Sequence, residues 1–181
     1  MRKHVAKLLA ALAVVSPAFI AGSGGLASAE AGSSGGLVHL YYADTALDAS
    51  FGTVVLTGAI TDSGTDCQGC AGQGLNVFIL SKGTFEIDVR PLESVLPGTV
   101  DPATCSLGGS ATAPVPIVPN PVWDTGAYTS IRGTFSTSAS IAAIYPRGRT
   151  GKCETNATRV PGVLIAHGPG RISYEVAAPA R

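Results

Sequence analysis

Charged and aromatic side chains are scarce in this chain. Only 13% of its 181 residues are Asp, Glu, Lys or Arg, 6% are aromatic, and there is one Trp and one Met. So few cations leave no basic face to neutralise phosphates, which excludes nucleic acid as a partner. Beyond residue 29 no stretch repeats apolar residues at i, i+3, i+4, i+7, so long amphipathic helices are not expected. No later run is apolar over the ~20 residues that a membrane span needs. The sequence also has no internal repeat and no second C-x-x-C, and its one G-x-S-x-G string, Gly32 to Gly36, lies in a Gly-Ser run without the apolar strand that precedes a nucleophile elbow. A nucleophile-elbow hydrolase and a paired-knuckle zinc site are therefore disfavoured, and neither metal nor cofactor is expected.

The N-terminus carries the one long apolar run. Arg2, Lys3 and Lys7 precede Leu8 to Ile20, which only Ser16 and Pro17 interrupt, and Ala27-Ser28-Ala29 follows as a small-x-small site. This pattern predicts a Sec-type signal peptide over 1–29, cleaved after Ala29, and a single secreted domain over 30–181. With the leader removed, nine cations face twelve carboxylates, a formal charge of −3.

What remains is rich in Gly, Thr, Ser, Val and Ala, a composition of strands and turns. In "FGTVVLTGAITD" Val54, Leu56 and Ile60 share one face and Thr53, Thr57 and Thr61 the other, the period-two pattern of a half-buried strand. In "GRISYEVA" Ile172, Tyr174 and Val176 oppose Ser173 and Glu175. Further strand-like runs cover 37–42, 74–80, 83–90, 104–112, 127–135, 138–146 and 162–168. Eight or nine strands result, depending on whether Ser81-Lys82-Gly83 is a hairpin turn. The expected fold is all-β: one antiparallel β-barrel of about eight strands, because closure removes exposed edges. A β-sandwich is the alternative. Pro114, Pro116, Pro119 and Pro121 lack the amide proton that a ladder uses, so 111–125 is expected to be a Pro-rich loop or edge.

Cys67, Cys70, Cys105 and Cys153 all lie in the exported part. Outside the cytosol an even number of thiols favours disulfides, with three pairings open. Cys67-Gln68-Gly69-Cys70 sits among Gly, Ser and Asp, and the adjacent Asp66 disfavours the thiolate that redox chemistry requires. The preferred pairing is Cys67–Cys70 with Cys105–Cys153. In the chain-entropy picture the long loop contributes about 4 kcal/mol and the short one about 2 kcal/mol.

Catalytic groups are thin. His39 and His167 each lie in a strand-like run without a placed Ser or Asp partner. In "FEIDVR" Glu86, Asp88 and Arg90 share a face opposite Phe85, Ile87 and Val89. That charged row is either a solvated exterior with local ion pairing or, in a polar pocket, a buried acid or base with Arg90 as partner. Asn156-Ala157-Thr158 matches a glycosylation sequon.

"TGAYTSIRGTF" resembles the Gly-x-aromatic-x-x-apolar-x-Gly stretch of allene oxide cyclase-like and dirigent-like barrels, carried here by Gly126, Tyr128, Ile131 and Gly133. The resemblance covers about residues 50 to 145. It implies an eight-stranded calycin-type barrel with a cavity for an oxylipin or a phenolic. No catalytic acid of either family maps onto this chain, and the Pro-rich stretch and Trp123 depart from the usual short turn. The resulting expectation is an exported barrel that binds a small hydrophobic molecule in a pocket of several hundred Å3. Tyr128, Arg132, His39, Glu86 and Asp88 are the pocket candidates, and any chemistry would be isomerase- or cyclase-like. The alternative is a non-enzymatic structural or interaction protein of the cell surface, with a filled barrel.

Overall fold

The computed structural model describes residues 33–45, 51–156 and 160–175. The leader, Val176 and the Ala157-Thr158 half of the sequon lie outside the described residues. The strands are β1 (Ser33–Asp44), β2 (Phe51–Gly58), β3 (Asp62–Gly72), β4 (Leu75–Leu80), β5 (Gly83–Asp88), β6 (Ser106–Val118), β7 (Arg132–Ile144) and β8 (Gly162–Glu175). A one-turn helix, α1 (Arg90–Glu93), follows β5, and a 3-10 turn (Gly126–Tyr128) precedes β7. Each strand is antiparallel to the next and β8 returns to β1, so the sheet closes as an eight-stranded up-and-down barrel.

The strand count rests on three local differences from the sequence reading. Runs 127–135 and 138–146 contribute to one strand, β7, and 162–168 continues past Pro169 into β8. Pro169 is tolerated because the β7–β8 ladder is interrupted there, pairing Phe135 with Gly170 and Ser138 with His167 but nothing between. β3 is a strand that period-two patterning does not mark, because "DSGTDCQGCAG" has no apolar alternation. Cys67 and Cys70 therefore lie in a strand with a register shift between Cys67 and Gly72.

The Pro-rich run also folds differently. β6 extends through Pro114 and Pro116, which pair with Ser136 and Thr134 of β7. Two residues apart, the prolines present their missing amide to the same edge. On that edge β5 pairs with β6 only at Val118 and Ile117, so little ladder is lost. Only the segment from Pro119 to Thr125 remains as loop.

Alternation fills the interior. Val54 and Leu56 of β2 point inward and Thr53, Val55 and Thr57 outward, as the pattern predicts. Ile60 is buried too, but beyond the end of β2. Ser81-Lys82 forms the hairpin turn, with Leu80 paired to Gly83. Gly126 (φ 61°) supplies the turn ahead of β7. Gly133 (φ 148°) packs so closely on β8 that a Cβ would collide with the Arg171 carbonyl.

Two disulfides join Cys67 to Cys70 and Cys105 to Cys153, with Cα atoms 5.6 and 5.3 Å apart. The second spans 48 residues and ties the segment after α1 to the β7–β8 connection, beside the small cluster of Leu107, Ala143 and Val160. Replacing Cys105 and Cys153 together by Ser is expected to lower unfolding free energy by about 4 kcal/mol, and replacing Cys67 and Cys70 by about 2 kcal/mol. Urea unfolding of the two double variants measures this; a larger loss for the short pair would contradict it.

Candidate ligand site at the open end of the barrel

The two ends of the barrel differ. At one end the 3-10 turn inserts Tyr128, whose ring stands edge-on to Phe85 at 5.4 Å, and Phe85 in turn is edge-on to Phe78 at 5.4 Å. The Tyr128 hydroxyl donates to Asp62 Oδ2 at 2.5 Å. Asp62 also accepts from the amides of Ser63 (2.8 Å), Ser81 (3.3 Å) and Lys82 (3.0 Å) and from the Ser81 hydroxyl. Burial pushes the Asp62 carboxyl up, but these donors outweigh it and hold its pKa at about 2. Burial, and then the bond to Asp62, raise the Tyr128 phenol. With Ile131 beside it, this plug seals the end.

The opposite end holds a cavity of about 90 Å3. Its walls are mostly apolar, including Leu40, Phe78, Val115 and Leu164, and α1 brings Leu92 to its rim. Five polar side chains also line it: Tyr42, Asp66, Gln68, Asn76 and Thr137. Gln68 Nε2 donates to the Tyr42 hydroxyl and to Asp44 Oδ2, both at 2.9 Å. Asn76 Nδ2 donates to Asp66 Oδ2 at 2.9 Å and is itself oriented by the Gly69 amide. Asp66 Oδ1 and Thr137 Oγ1 are buried, in residues 2% and 1% exposed, and have no hydrogen-bond partner.

Burial raises the Asp66 carboxyl to a pKa of about 7; the Asn76 bond opposes this, and the Asp44 charge adds to it. Burial, and then the charges of Asp66 and Asp44, also raise the Tyr42 phenol, against the Gln68 hydrogen bond. No Lys, Arg or His lines the cavity among the described residues. A larger hollow of about 660 Å3 between Arg132–Thr134 and Arg171–Ser173 is a shallow, solvent-open depression of the outer wall.

None of the five candidates drawn from the sequence lines this cavity. Tyr128 plugs the other end. Arg132 is exposed, borders the shallow hollows, donates to the Ile131 carbonyl and lies 3.8 Å from Asp124. His39 faces outward and stacks on Tyr41 at 5.5 Å. Asp88 is paired with Arg90 at 2.7 Å, which lowers its pKa. Glu86 departs from both readings of the charged row. It is only 2% exposed yet lies on the outer wall with Val77, where Asn120 Nδ2 donates to it at 2.7 Å. The 119–125 loop folds back across β5, held by the Thr84 hydroxyl on the Trp123 carbonyl, and so buries an outward-facing residue.

The polar lining escaped the sequence reading, although β3 carried a signal. Asp62, Asp66 and Gln68 share one face with Gly64, and Ser63, Thr65 and Cys67 the other, so a closed barrel has no large apolar face of this strand to turn inward.

These features define a small up-and-down β-barrel, sealed at one end by an aromatic plug and open at the other through an apolar mouth with a carboxyl group. No family model, no curated protein and no solved structure matches the chain.

Two stability predictions follow from the carboxyls. Asp66 holds its proton more tightly folded than unfolded, where its pKa is about 3.9, so its contribution falls as pH rises from about 4 to about 7. Asp66→Asn is expected to be more stable than the parent at pH 8 and equal to it below pH 4; urea midpoints across this range test it, and a destabilised variant at pH 8 would refute it. Asp62 has the opposite sign, its contribution being full above about pH 4 and lost as pH falls through about 2. Tyr128→Phe, which removes one donor to a charged group, is expected to cost about 2 kcal/mol at neutral pH by the same measurement.

Proposed function

We propose that this chain is an exported binding barrel that takes the apolar end of a small molecule into its open mouth. The observation that carries this reading is the half-open, mainly apolar cavity with a few convergent polar groups at one end only. At about 90 Å3 it is far below the several hundred Å3 expected, because Phe78, Phe85, Phe135 and Tyr128 fill the middle and the sealed end. The ligand therefore enters with a single ring or a short chain. Export is supported by the leader sequence and the two disulfides. No helix among the described residues is long and apolar enough to cross a membrane. The closed eight-stranded meander is compatible with the allene oxide cyclase-like and dirigent-like resemblance, whose Gly126, Tyr128, Ile131 and Gly133 build the sealed end. That resemblance supports the barrel and assigns no reaction.

The filled interior also favours a second reading, a non-enzymatic interaction protein of the cell surface acting through its outer wall. The wall exposes Leu37, Tyr41 and Phe51. Methyl NMR with benzene as the probe separates the two. Binding predicts saturable shifts at Leu40, Val115 and Leu164, with Val38 at the sealed end unaffected. No shift at the mouth up to the solubility limit of benzene removes the binding reading and leaves the surface one.

A further inference from the structure

The cavity is lined by one buried carboxyl, Asp66, and among the described residues by no Lys, Arg or His. Asp66 and Asp44 lie close enough for the charge of one to raise the pKa of the other, and both are buried. The neighbouring polar groups are neutral: Tyr42, Gln68, Asn76 and Thr137. Gln68 and Asn76 each supply amide donors, but Asp66 receives only the one from Asn76, on Oδ2. Its second oxygen and the Thr137 hydroxyl are the two buried polar atoms of the cavity left without a partner. A buried carboxylate is costly unless paired, and a buried hydroxyl is costly unless bonded. Both deficits occur in one pocket, so one occupant can meet both.

Ligand chemistry follows from this balance. A carboxylate or phosphate would add negative charge beside Asp66 and Asp44. A carbonyl offers acceptors where an ionised carboxylate needs a donor. An alcohol supplies a donor and leaves the charge uncompensated. An ammonium group supplies several N–H donors and the opposite charge together.

We propose that the open mouth selects a primary amine on a small apolar body: the body enters among Leu40, Phe78 and Val115, the ammonium pairs with Asp66 Oδ1, and the Thr137 hydroxyl accepts a further N–H. This rests on the binding reading above and specifies the ligand class. Asp66 is then the selecting residue, and its poor solvation in the empty barrel is what the ligand relieves.

One ring with four head groups tests it. Benzylamine, benzyl alcohol, benzaldehyde and benzoate are titrated at about pH 8 against the secreted protein and its Asp66→Asn variant, read by amide NMR shifts at Asp66, Thr137 and Leu40. Benzylamine is expected to bind about tenfold more tightly than benzyl alcohol, the margin between a charge-assisted and a neutral hydrogen bond. Benzoate is expected not to bind, and Asp66→Asn to bring amine and alcohol together while its spectrum stays folded. In the parent, benzylamine should also lower the midpoint of the Asp66 carboxyl 13C titration, which a purely structural carboxyl would not show. Equal or tighter binding of benzyl alcohol, benzaldehyde or benzoate overturns the amine assignment and leaves the binding reading standing. If no member of the series, nor benzene itself, shifts the mouth, the binding reading fails and the amine assignment with it.

Discussion

The seam between β1 and β8 is the constraint on which the rest of the molecule depends. All residues of β1 from Ser33 to Asp44 have a partner on β8, from Glu175 to Leu164. That ladder turns a meander into a ring without edges, and a ring of eight strands leaves an interior just wide enough for side chains to fill. Closure assigns each strand one wet face and one dry face. It also creates two ends, and the chain treats them differently. The sealed end uses the 3-10 turn, with Gly126 in a left-handed conformation, to insert Tyr128 among Phe85 and Phe78. The open end relies on α1, too short to cap the barrel, and leaves a cavity beside Leu92.

Two aspartates four residues apart on β3 show how environment, and not residue type, decides the role of a carboxyl. Both face inward, since β3 alternates across the sheet. Asp62 accepts five donors, among them Tyr128 and the backbone of the 81–82 hairpin, and its pKa sits near 2. It is a structural clamp that ties the start of β3 and the 81–82 hairpin to the plug. Asp66 receives one donor, from Asn76, and its pKa stands at about 7. A fold selected only for stability has no use for the second arrangement, and perturbed groups of this kind concentrate at functional sites. The uncompensated carboxyl and the apolar mouth thus point to the same end of the barrel.

The resemblance residues acquire a physical meaning here that a motif alone lacks. Tyr128 and Ile131 are plug residues, while Gly126 and Gly133 make the turn and the close approach of β7 to β8. The expectation that 127–135 forms one continuous strand fails at this point. Tyr128 and Ile131 both turn inward, three positions apart, because the chain is a turn there and not a strand. Glu86 teaches the complementary lesson. Strand alternation correctly places it on the outer wall, but alternation carries no information about a loop that later folds over that wall.

The sequence by itself determined the all-β class, the approximate strand number, the inward set on β2 and the choice of disulfide partners, and it left the turn at Ser81-Lys82 open until the pairing of Leu80 with Gly83 decided it. What it determined follows from local rules: side-chain period, turn chemistry and the tendency of an even set of cysteines to pair. Tertiary structure alone decided that β3 is a strand, since nothing apolar marks it. It also decided that Pro114 and Pro116 join β6 at a sparsely paired edge, and that Tyr42, Asp66, Gln68, Asn76 and Thr137 converge. These five come from four strands across the barrel, and their meeting depends on register and closure. Those are global quantities, fixed only when the last strand returns to the first.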